Sequence, residues 1–378
     1  MNSYWGGELP AIGGALVLGA LPRVMHWQRP RDAVLLGLGA GILANTRPLE
    51  GLVLFVPIIL VLSAWIFGHR SPSWRVTLPK VVVPLGSVLL FTLAFILYYN
   101  WRVTLNPFLF PHTLDDRLHL TVSNYVWGQQ KPPMQYLNHQ FDVFYNHWSR
   151  NQYLRTWDSF RQISWRKVTL FQEFFLGAAL TVPFLTLPWA LRDRRIRLLV
   201  LFFAVSCLGL LAVTWFNPHY AAPAMAAFFA ILMQMLRHLR RWRHRGLPVG
   251  IGLTRAVVLL TAATVPYYLY QVVENPRASY GLSLGLANWD RARIVDQLEA
   301  TPGKHLVLVR YSQTHHYIHT EWVYNAADID SSKIVWAREI PGVDHRPLLD
   351  YFKGRTLWVI EPDAVPPRLI PYSPGPQP

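Results

Sequence analysis

The run Leu198–Leu236 constrains the fold more than any other feature of this chain, because it contains no Asp, Glu, Lys or Arg. A helix that crosses a bilayer needs about 20 largely apolar residues, so this run is long enough for two crossings. Asn217-Pro218 lies near its middle and predicts a break between the two helices. The run therefore predicts a membrane protein in which two spans are joined by a short turn.

Further apolar blocks extend this pattern along the chain. They are Leu9–Pro22, Ala33–Thr46, Gly51–Phe67, Val81–Tyr99, Phe174–Leu191 and a block from about Gly250 to Tyr270. The first two are short for independent spans, so re-entrant or buried core helices are the alternative there. Their glycines favour close helix packing over phosphate binding, because no strand precedes them. We predict an α-helical polytopic membrane protein with about eight transmembrane helices over residues 1–273.

Basic residues fall in every second loop between these blocks. The clusters are Arg23/Arg29/Arg31, Arg70/Arg75/Lys80, Arg192/Arg194/Arg195/Arg197 and Arg237/Arg240/Arg241/Arg243/Arg245. Cytoplasmic loops of membrane proteins carry such an excess of Lys and Arg. The net charge of +15 is therefore a topology signal that also suits membrane lipids, and we expect no nucleic-acid partner. By the same rule, the long loop 100–173 and the C-terminal region lie outside the cytoplasm.

The C-terminal region has the pattern of a small α/β domain over residues 280–363. A helix at Asp290–Ala300 precedes predicted strands at His305–Tyr311, Glu321–Tyr324, Lys333–Ala337 and Thr356–Ile360, with a short helix at Pro347–Phe352. Residues 364–378 are rich in proline and predict a disordered tail. His315, His316 and His319 lie close together, which makes them candidate ligands of a divalent metal; polar packing is the alternative.

Four short motifs resemble one family of membrane enzymes. They are Ser3–Gly7 (SYWGG), Ala44–Gly51 (ANTRPLEG), Asn100–Pro107 (NWRVTLNP) and Asn217–Pro223 (NPHYAAP). Together they look like the bacterial polyprenyl-phosphate-dependent glycosyltransferases of the GT-C fold, the group of protein O-mannosyltransferases and aminoarabinose transferases. The resemblance implies a GT-C-like enzyme of the bacterial inner membrane. It would move a sugar from a polyprenyl-phosphate donor to an acceptor, of unknown identity, on the extracytoplasmic side.

An inverting transfer of this kind needs a carboxylate that accepts the proton of the acceptor and cationic donors that stabilise the departing phosphate. Arg47 and His219 are the candidate phosphate contacts, with Tyr220 in support; Glu50 and Arg102 complete the predicted binding set. The alternative is that Arg47 pairs with Glu50 while the His219 and Tyr220 rings anchor at the lipid headgroups.

The adjacent acids Asp115 and Asp116 are candidates for metal binding or for activation of the acceptor. An adjacent acidic pair in a loop is also typical of a solvated turn, which is the alternative. Neither interpretation requires a particular cofactor, although a divalent metal would be compatible with both.

The chain departs from the family at its beginning. Family members resembling it carry the catalytic acid in the first extracytoplasmic loop, whereas this sequence opens beyond such a loop. We therefore expect Met1 to be internal to a longer protein that contains the main catalytic carboxylate. Glu8, beside the first apolar block, is the acid of this chain that could substitute for it. A non-catalytic membrane protein that binds or carries a lipid-linked glycan is the alternative function.

Overall fold

The structure is a computed structural model that describes residues 6–68, 72–152, 156–274, 289–313, 315 and 321–372. These residues form two compact units. The first contains residues 6–134 and 144–274, and the second contains residues 135–143 together with the described residues from 289 onwards. Residues 135–143 come from the long loop that follows the Val81–Tyr99 block, so one segment of that loop packs with the C-terminal unit.

The first unit is a helical bundle. Its helices are α1 (Glu8–Trp27), α2 (Pro30–Thr46), α3 (Pro48–Phe67), α4 (Trp74–Thr104, with a π-helical turn at Leu78–Val82), α5 (Pro111–His119), α6 (Trp157–Phe175), α7 (Ala179–Arg192), α8 (Arg197–Ala212), α9 (Met225–Arg240) and α10 (Val249–Glu274). A 3₁₀ segment, Pro218–Ala224, leads into α9, and residues 139–152 form a short irregular helix.

Six helices of the described part are long and apolar enough to cross a membrane. They are α1, α3, α4, the segment Arg194–Ala212 that ends with α8, the segment Pro218–Arg240 that ends with α9, and the first nineteen residues of α10. The pair α6 and α7, bent by 112°, makes a seventh if it is counted as one broken span. The chain is therefore consistent with a polytopic membrane protein, with six or seven candidate spans in the described residues where about eight are predicted.

Two of the predicted spans account for the difference. The block Ala33–Thr46 lies in α2, a helix of 17 residues that packs against α1, α3 and α4, with Ala33, Leu36 and Leu43 fully buried. The predicted span Phe174–Leu191 is not one straight helix, because the chain turns sharply within it. Gly177 has a φ of +56°, and the segment after it is a 3₁₀ helix that contains Pro183. Glycine permits such a left-handed turn, and proline removes a donor that a straight α-helix needs.

Glycines let the helices of the bundle approach one another closely, as predicted. A Cβ atom on Gly39 of α2 would lie 2.7 Å from the carbonyl oxygen of Gly13 in α1. A Cβ atom on Gly14 would lie 1.9 Å from the carbonyl oxygen of Pro223, and one on Gly41 would lie 2.8 Å from the hydroxyl of Thr92. Small residues of this kind allow backbones to pack where a bilayer supplies no hydrophobic force between helices.

These contacts fix the register of the bundle. Gly13 meets Ile42 while Gly39 meets Val17, so α1 and α2 are antiparallel and Glu8 is level with the end of α2. We call this the Glu8 end: it contains the N-termini of α1 and α3, the C-termini of α2, α4 and α8, and residues 217–220. The opposite ends of α1, α8 and α9 carry clusters of arginine, and we call this the arginine end.

The second unit contains α11 (Trp289–Ala300), α12 (Arg346–Tyr351) and a four-stranded sheet. The strands are β1 (His305–Val309), β2 (Ile334–Arg338), β3 (Thr356–Glu361) and β4 (Arg368–Pro371), in the order β2-β1-β3-β4. β1 is parallel to β2 and β3, whereas β4 is antiparallel to β3. The core of this unit contains Leu298, Val307, Trp336 and Ile360, which join α11 to the sheet.

Two predictions for this unit are wrong. Glu321–Tyr324 is not a strand, because the Arg291 side chain donates to the carbonyl oxygens of Trp322 and Tyr324 that a neighbouring strand would otherwise bond. The proline-rich end contributes β4, whose backbone pairs with β3 from Trp358 to Glu361. Residues 373–378 of the predicted tail lie outside the described residues.

The packing of α1 against Pro218–Ala224 gives a stability prediction. We expect Gly14→Ala to lower the thermal stability of the purified protein, because its methyl group would overlap the Pro223 carbonyl group; overpacking of this kind costs about 1–3 kcal/mol. Gly86→Ala is the matched control, since nothing lies within 4 Å of its Cβ position in α4. The melting temperature in detergent measures both. Equal melting temperatures for the two variants would contradict this packing.

Candidate functional site

Arg47 lies at the Glu8 end, between α2 and α3. Its guanidinium carbon is 4.1 Å from the centre of the Tyr220 ring, which is a cation–π contact. Pro48 follows Arg47 and begins α3. At the second turn, Tyr220 N–H donates to the Asn217 carbonyl oxygen at 2.9 Å. The two proline turns, distant in sequence, thus bring a cation and an aromatic ring together.

His219 is buried beside these residues. Its side chain is 7% exposed, and its ring meets the Tyr220 ring edge-on at 4.9 Å. A Cβ atom on Gly7 would lie 3.1 Å from the His219 Cβ atom, so the start of α1 passes directly against this histidine. Glu8, the next residue, is exposed in the first turn of α1. The end of the bundle therefore contains Glu8 as well as the predicted phosphate contacts.

A narrow cleft opens between α3, α8 and the segment Pro218–Ala224. Glu50 and Tyr220 are among the residues that line it. Deeper along α3 and α8, its walls are formed by Val53, Ser206 and Gly209, so most of its lining is apolar. The cleft is therefore an apolar groove between membrane helices, with Glu50 as its charged lining residue and with the Tyr220 ring that stacks on Arg47 in its wall.

The acidic pair of the long loop lies on helix α5 and not in a turn, so the solvated-turn alternative is wrong. Asp115 forms an exposed ion pair with His119, four residues along, at 2.7 Å. The Asp116 carboxylate accepts a hydrogen bond from the Asn124 side chain, and Lys131 donates to the Asp116 carbonyl oxygen at 2.8 Å. Partial burial is the main cause that raises the pKa of Asp116, although His112 and Lys131 oppose it.

The loop around Asn124 is fixed to the segment that leads to His219. Asn124 accepts a hydrogen bond from Thr214 N–H at 2.9 Å, and Val126 N–H donates to the Ala212 carbonyl oxygen at 3.0 Å. Asp116 is thus connected through Asn124 to the end of α8.

Arg102, in contrast, is exposed at the end of α4 beside the Trp101 ring, 5.9 Å from its centre. It is not stacked on Tyr220 as Arg47 is.

Sequence reasoning missed Lys167, a buried cation in α6. Its Nζ atom donates to the carbonyl oxygen of Leu210 at 2.9 Å and to that of Val213. The last carbonyl groups of a helix lack partners within the helix, so this ammonium group caps the C-terminus of α8. Nothing in the sequence near Lys167 indicates this role, because its partners lie more than forty residues away.

In the second unit, His315 pairs with an acid. Its side chain is 1% exposed, its Nδ1 atom is 2.6 Å from a carboxylate oxygen of Asp363, and its ring stacks on Tyr311 with centres 4.0 Å apart. His316 and His319 lie outside the described residues. Within the described residues, no group of three His, Cys, Asp or Glu side chains could hold a metal ion. The contacts of His315 with Asp363 and Tyr311 are those of a packed polar side chain.

No known family model, curated protein or solved structure matches this chain.

The environment of Asp116 predicts a pH effect on stability. Because its pKa is raised in the folded protein, the proton binds the folded state more tightly than the unfolded state, and stability falls as pH rises through the folded pKa. We expect Asp116→Asn to gain stability relative to the wild type as pH rises above about 4, the ordinary value for Asp. Denaturant unfolding at pH 4 and pH 7 measures this change. Asp158→Asn, at an exposed position, is the control; a pH-independent difference between Asp116→Asn and wild type would contradict the assignment.

Proposed function

We propose that this chain is the membrane part of a GT-C-like glycosyltransferase that uses a polyprenyl-phosphate sugar donor. The observation that carries the proposal is the contact between Arg47 and Tyr220, which places a cation beside an apolar cleft between membrane helices. A polyprenyl phosphate has the matching chemistry, because it joins an anionic headgroup to a long hydrocarbon chain. The guanidinium group can bind phosphate oxygens in pairs while it remains stacked on the ring.

The orientation in the membrane follows from the charges. The arginine end contains most of the basic residues of the first unit, and the positive-inside rule assigns such an end to the cytoplasm. The Glu8 end is then extracytoplasmic, in the bacterial inner membrane that the family resemblance implies. The loop with Asp115 and Asp116 belongs to the same side, since it pairs with the end of α8.

The proposed transfer is an inverting displacement at the anomeric carbon of the donor sugar. A hydroxyl oxygen of the acceptor forms the new bond to this carbon, while the bond from the carbon to the phosphate oxygen breaks. The electron pair of that bond leaves on the lipid phosphate, whose charge Arg47 stabilises, with His219 held beside Tyr220. Two carboxylates, Glu8 and Glu50, lie at this end, and Glu8 is the one to which we assign the proton of the acceptor hydroxyl group.

Glu8 suits this role better than the acids of the long loop. Glu8 is exposed and follows Gly7, which packs against His219. Asp115 is paired with His119, and the carboxylate of Asp116 accepts a hydrogen bond from Asn124. The alternative function, a non-catalytic protein that binds a lipid-linked glycan, requires the same cleft and the same Arg47 but no proton acceptor. The two functions therefore differ in their dependence on Glu8.

The binding step gives the first arm of the test. In nanodiscs, we expect a fluorescent polyprenyl phosphate to bind more tightly than the polyprenyl alcohol. Arg47→Gln should weaken phosphate binding about 10- to 100-fold, because it removes a charged hydrogen-bond donor. Arg29→Gln is the matched control, since Arg29 stacks on Trp27 in the same way at the arginine end. Equal effects of the two substitutions would contradict a phosphate site at Arg47.

The transfer step gives the second arm. With a glycosylated polyprenyl phosphate as donor, we expect Glu8→Gln to abolish the release of polyprenyl phosphate while it leaves the affinity for the donor unchanged. Binding without turnover in the wild type would support the non-catalytic alternative. Turnover that survives in Glu8→Gln would eliminate Glu8 as the proton acceptor.

A further inference from the structure

Three aromatic rings of the first unit, Phe144, Trp148 and Trp215, form a parallel array that we call the aromatic platform. Their planes differ by 17°, 19° and 21°, and their centres are separated by 5.2, 6.2 and 5.7 Å. In a column of three rings, the outer two would be nearly twice as far apart as neighbours are. The three nearly equal distances therefore describe rings that are offset from one another, with their planes nearly parallel.

Buried polar groups hold both halves of the platform in place. The Ser149 hydroxyl group donates to the Phe144 carbonyl oxygen at 2.5 Å, and the Thr121 hydroxyl group donates to that of Tyr145. Both hydroxyl side chains belong to buried residues, at 1% and 0% exposure respectively. A buried polar group costs free energy unless it is bonded, so these residues help to determine the path of the backbone at Phe144 and Tyr145.

Trp215 is held from the opposite side. Val213 pairs with Tyr125 in an antiparallel bridge, and its carbonyl oxygen accepts a hydrogen bond from the buried Lys167. Two elements that are remote in sequence thus determine where Trp215 lies. Such support is more than a membrane anchor requires, because an anchoring tryptophan needs only to reach the headgroup region.

The platform is partly accessible. Trp148 is 37% exposed, and Phe144 and Trp215 are half-buried. Trp215 precedes His219 by four residues, in the same connection that carries Tyr220 to Arg47. The aromatic platform thus belongs to the segment that leads directly into the proposed phosphate site.

We propose that the aromatic platform is a carbohydrate subsite that binds a pyranose ring. The C–H bonds on one face of a pyranose carry partial positive charge and pack against the negative face of an aromatic ring. Its part in transfer, as the subsite for the sugar of the donor or acceptor, rests on the proposed function; sugar binding itself does not.

The test measures sugar binding without any lipid phosphate. Free gluco-, manno- and galacto-configured disaccharides are added to the full chain in nanodiscs, and saturation-transfer NMR detects contact with aromatic protons. We expect at least one disaccharide to receive saturation. Trp148→Leu should reduce its affinity about tenfold, which corresponds to the loss of one aromatic contact of about 1.4 kcal/mol. Trp148→Phe, which keeps a ring, should retain most of the affinity.

Trp157→Leu is the matched control, since Trp157 is 76% exposed on α6 and is not part of the platform. The proposal is overturned if no disaccharide receives saturation, or if Trp148→Leu and Trp157→Leu behave alike; either result would leave the rings as a packing or lipid-contact surface. Sugar binding that persists while Arg47→Gln has no effect on the lipid phosphate would overturn the proposed function alone. If no disaccharide binds while Arg47→Gln weakens binding of the lipid phosphate, the subsite alone is overturned.

Discussion

The close approach of α1 to α2 and to Pro218–Ala224 is the interaction on which the rest of the first unit depends. Between helices in a bilayer, the hydrophobic effect supplies no net attraction, so association depends on close packing of surfaces. Gly13, Gly14 and Gly39 bring backbone against backbone in these contacts. The start of α1 is consequently held against His219, and the end of α2 is held at the level of Glu8.

A second constraint follows from the exclusion of charge from the spans. Because ionised side chains are costly in the hydrocarbon region, the chain places nearly all of them at helix ends, and chemistry is confined to those ends. At the Glu8 end, a cation, an aromatic ring and an apolar cleft coincide. Burial also leaves backbone carbonyl groups in need of donors where α8 ends against the loop. The buried Lys167 ammonium group donates to those of Leu210 and Val213.

Local sequence signals identified much of this architecture. The break at Asn217-Pro218, the packing glycines and the helix at the start of the C-terminal domain depend on residues close together in the chain, and each is found. The sequence also predicted one end of the bundle for Arg47, Glu50, His219 and Tyr220. Each of the two turns that carry these residues contains a proline and joins two apolar blocks on the predicted extracytoplasmic side.

The features that the sequence could not reveal depend on distant partners. The apolar residues of Phe174–Leu191 suggested a span, but Gly177 and Pro183 act on the backbone direction and not on hydropathy. Strand β4 exists because β3 offers an unpaired edge, which a proline-rich segment alone does not disclose. The same applies to the aromatic platform, whose three rings come from two segments some seventy residues apart.

We propose that the Glu8 end and the arginine end lie on opposite sides of the membrane, with the Glu8 end outside the cytoplasm. Single cysteines in a Cys207→Ala background test it directly. Leu105→Cys, at a position 84% exposed after α4, marks the Glu8 end, and Leu247→Cys, at a position 66% exposed before α10, marks the arginine end. A membrane-impermeant maleimide should label only Leu105→Cys in right-side-out vesicles and only Leu247→Cys in inside-out vesicles. Labelling of both variants from the same side, or the opposite pattern, would contradict the account.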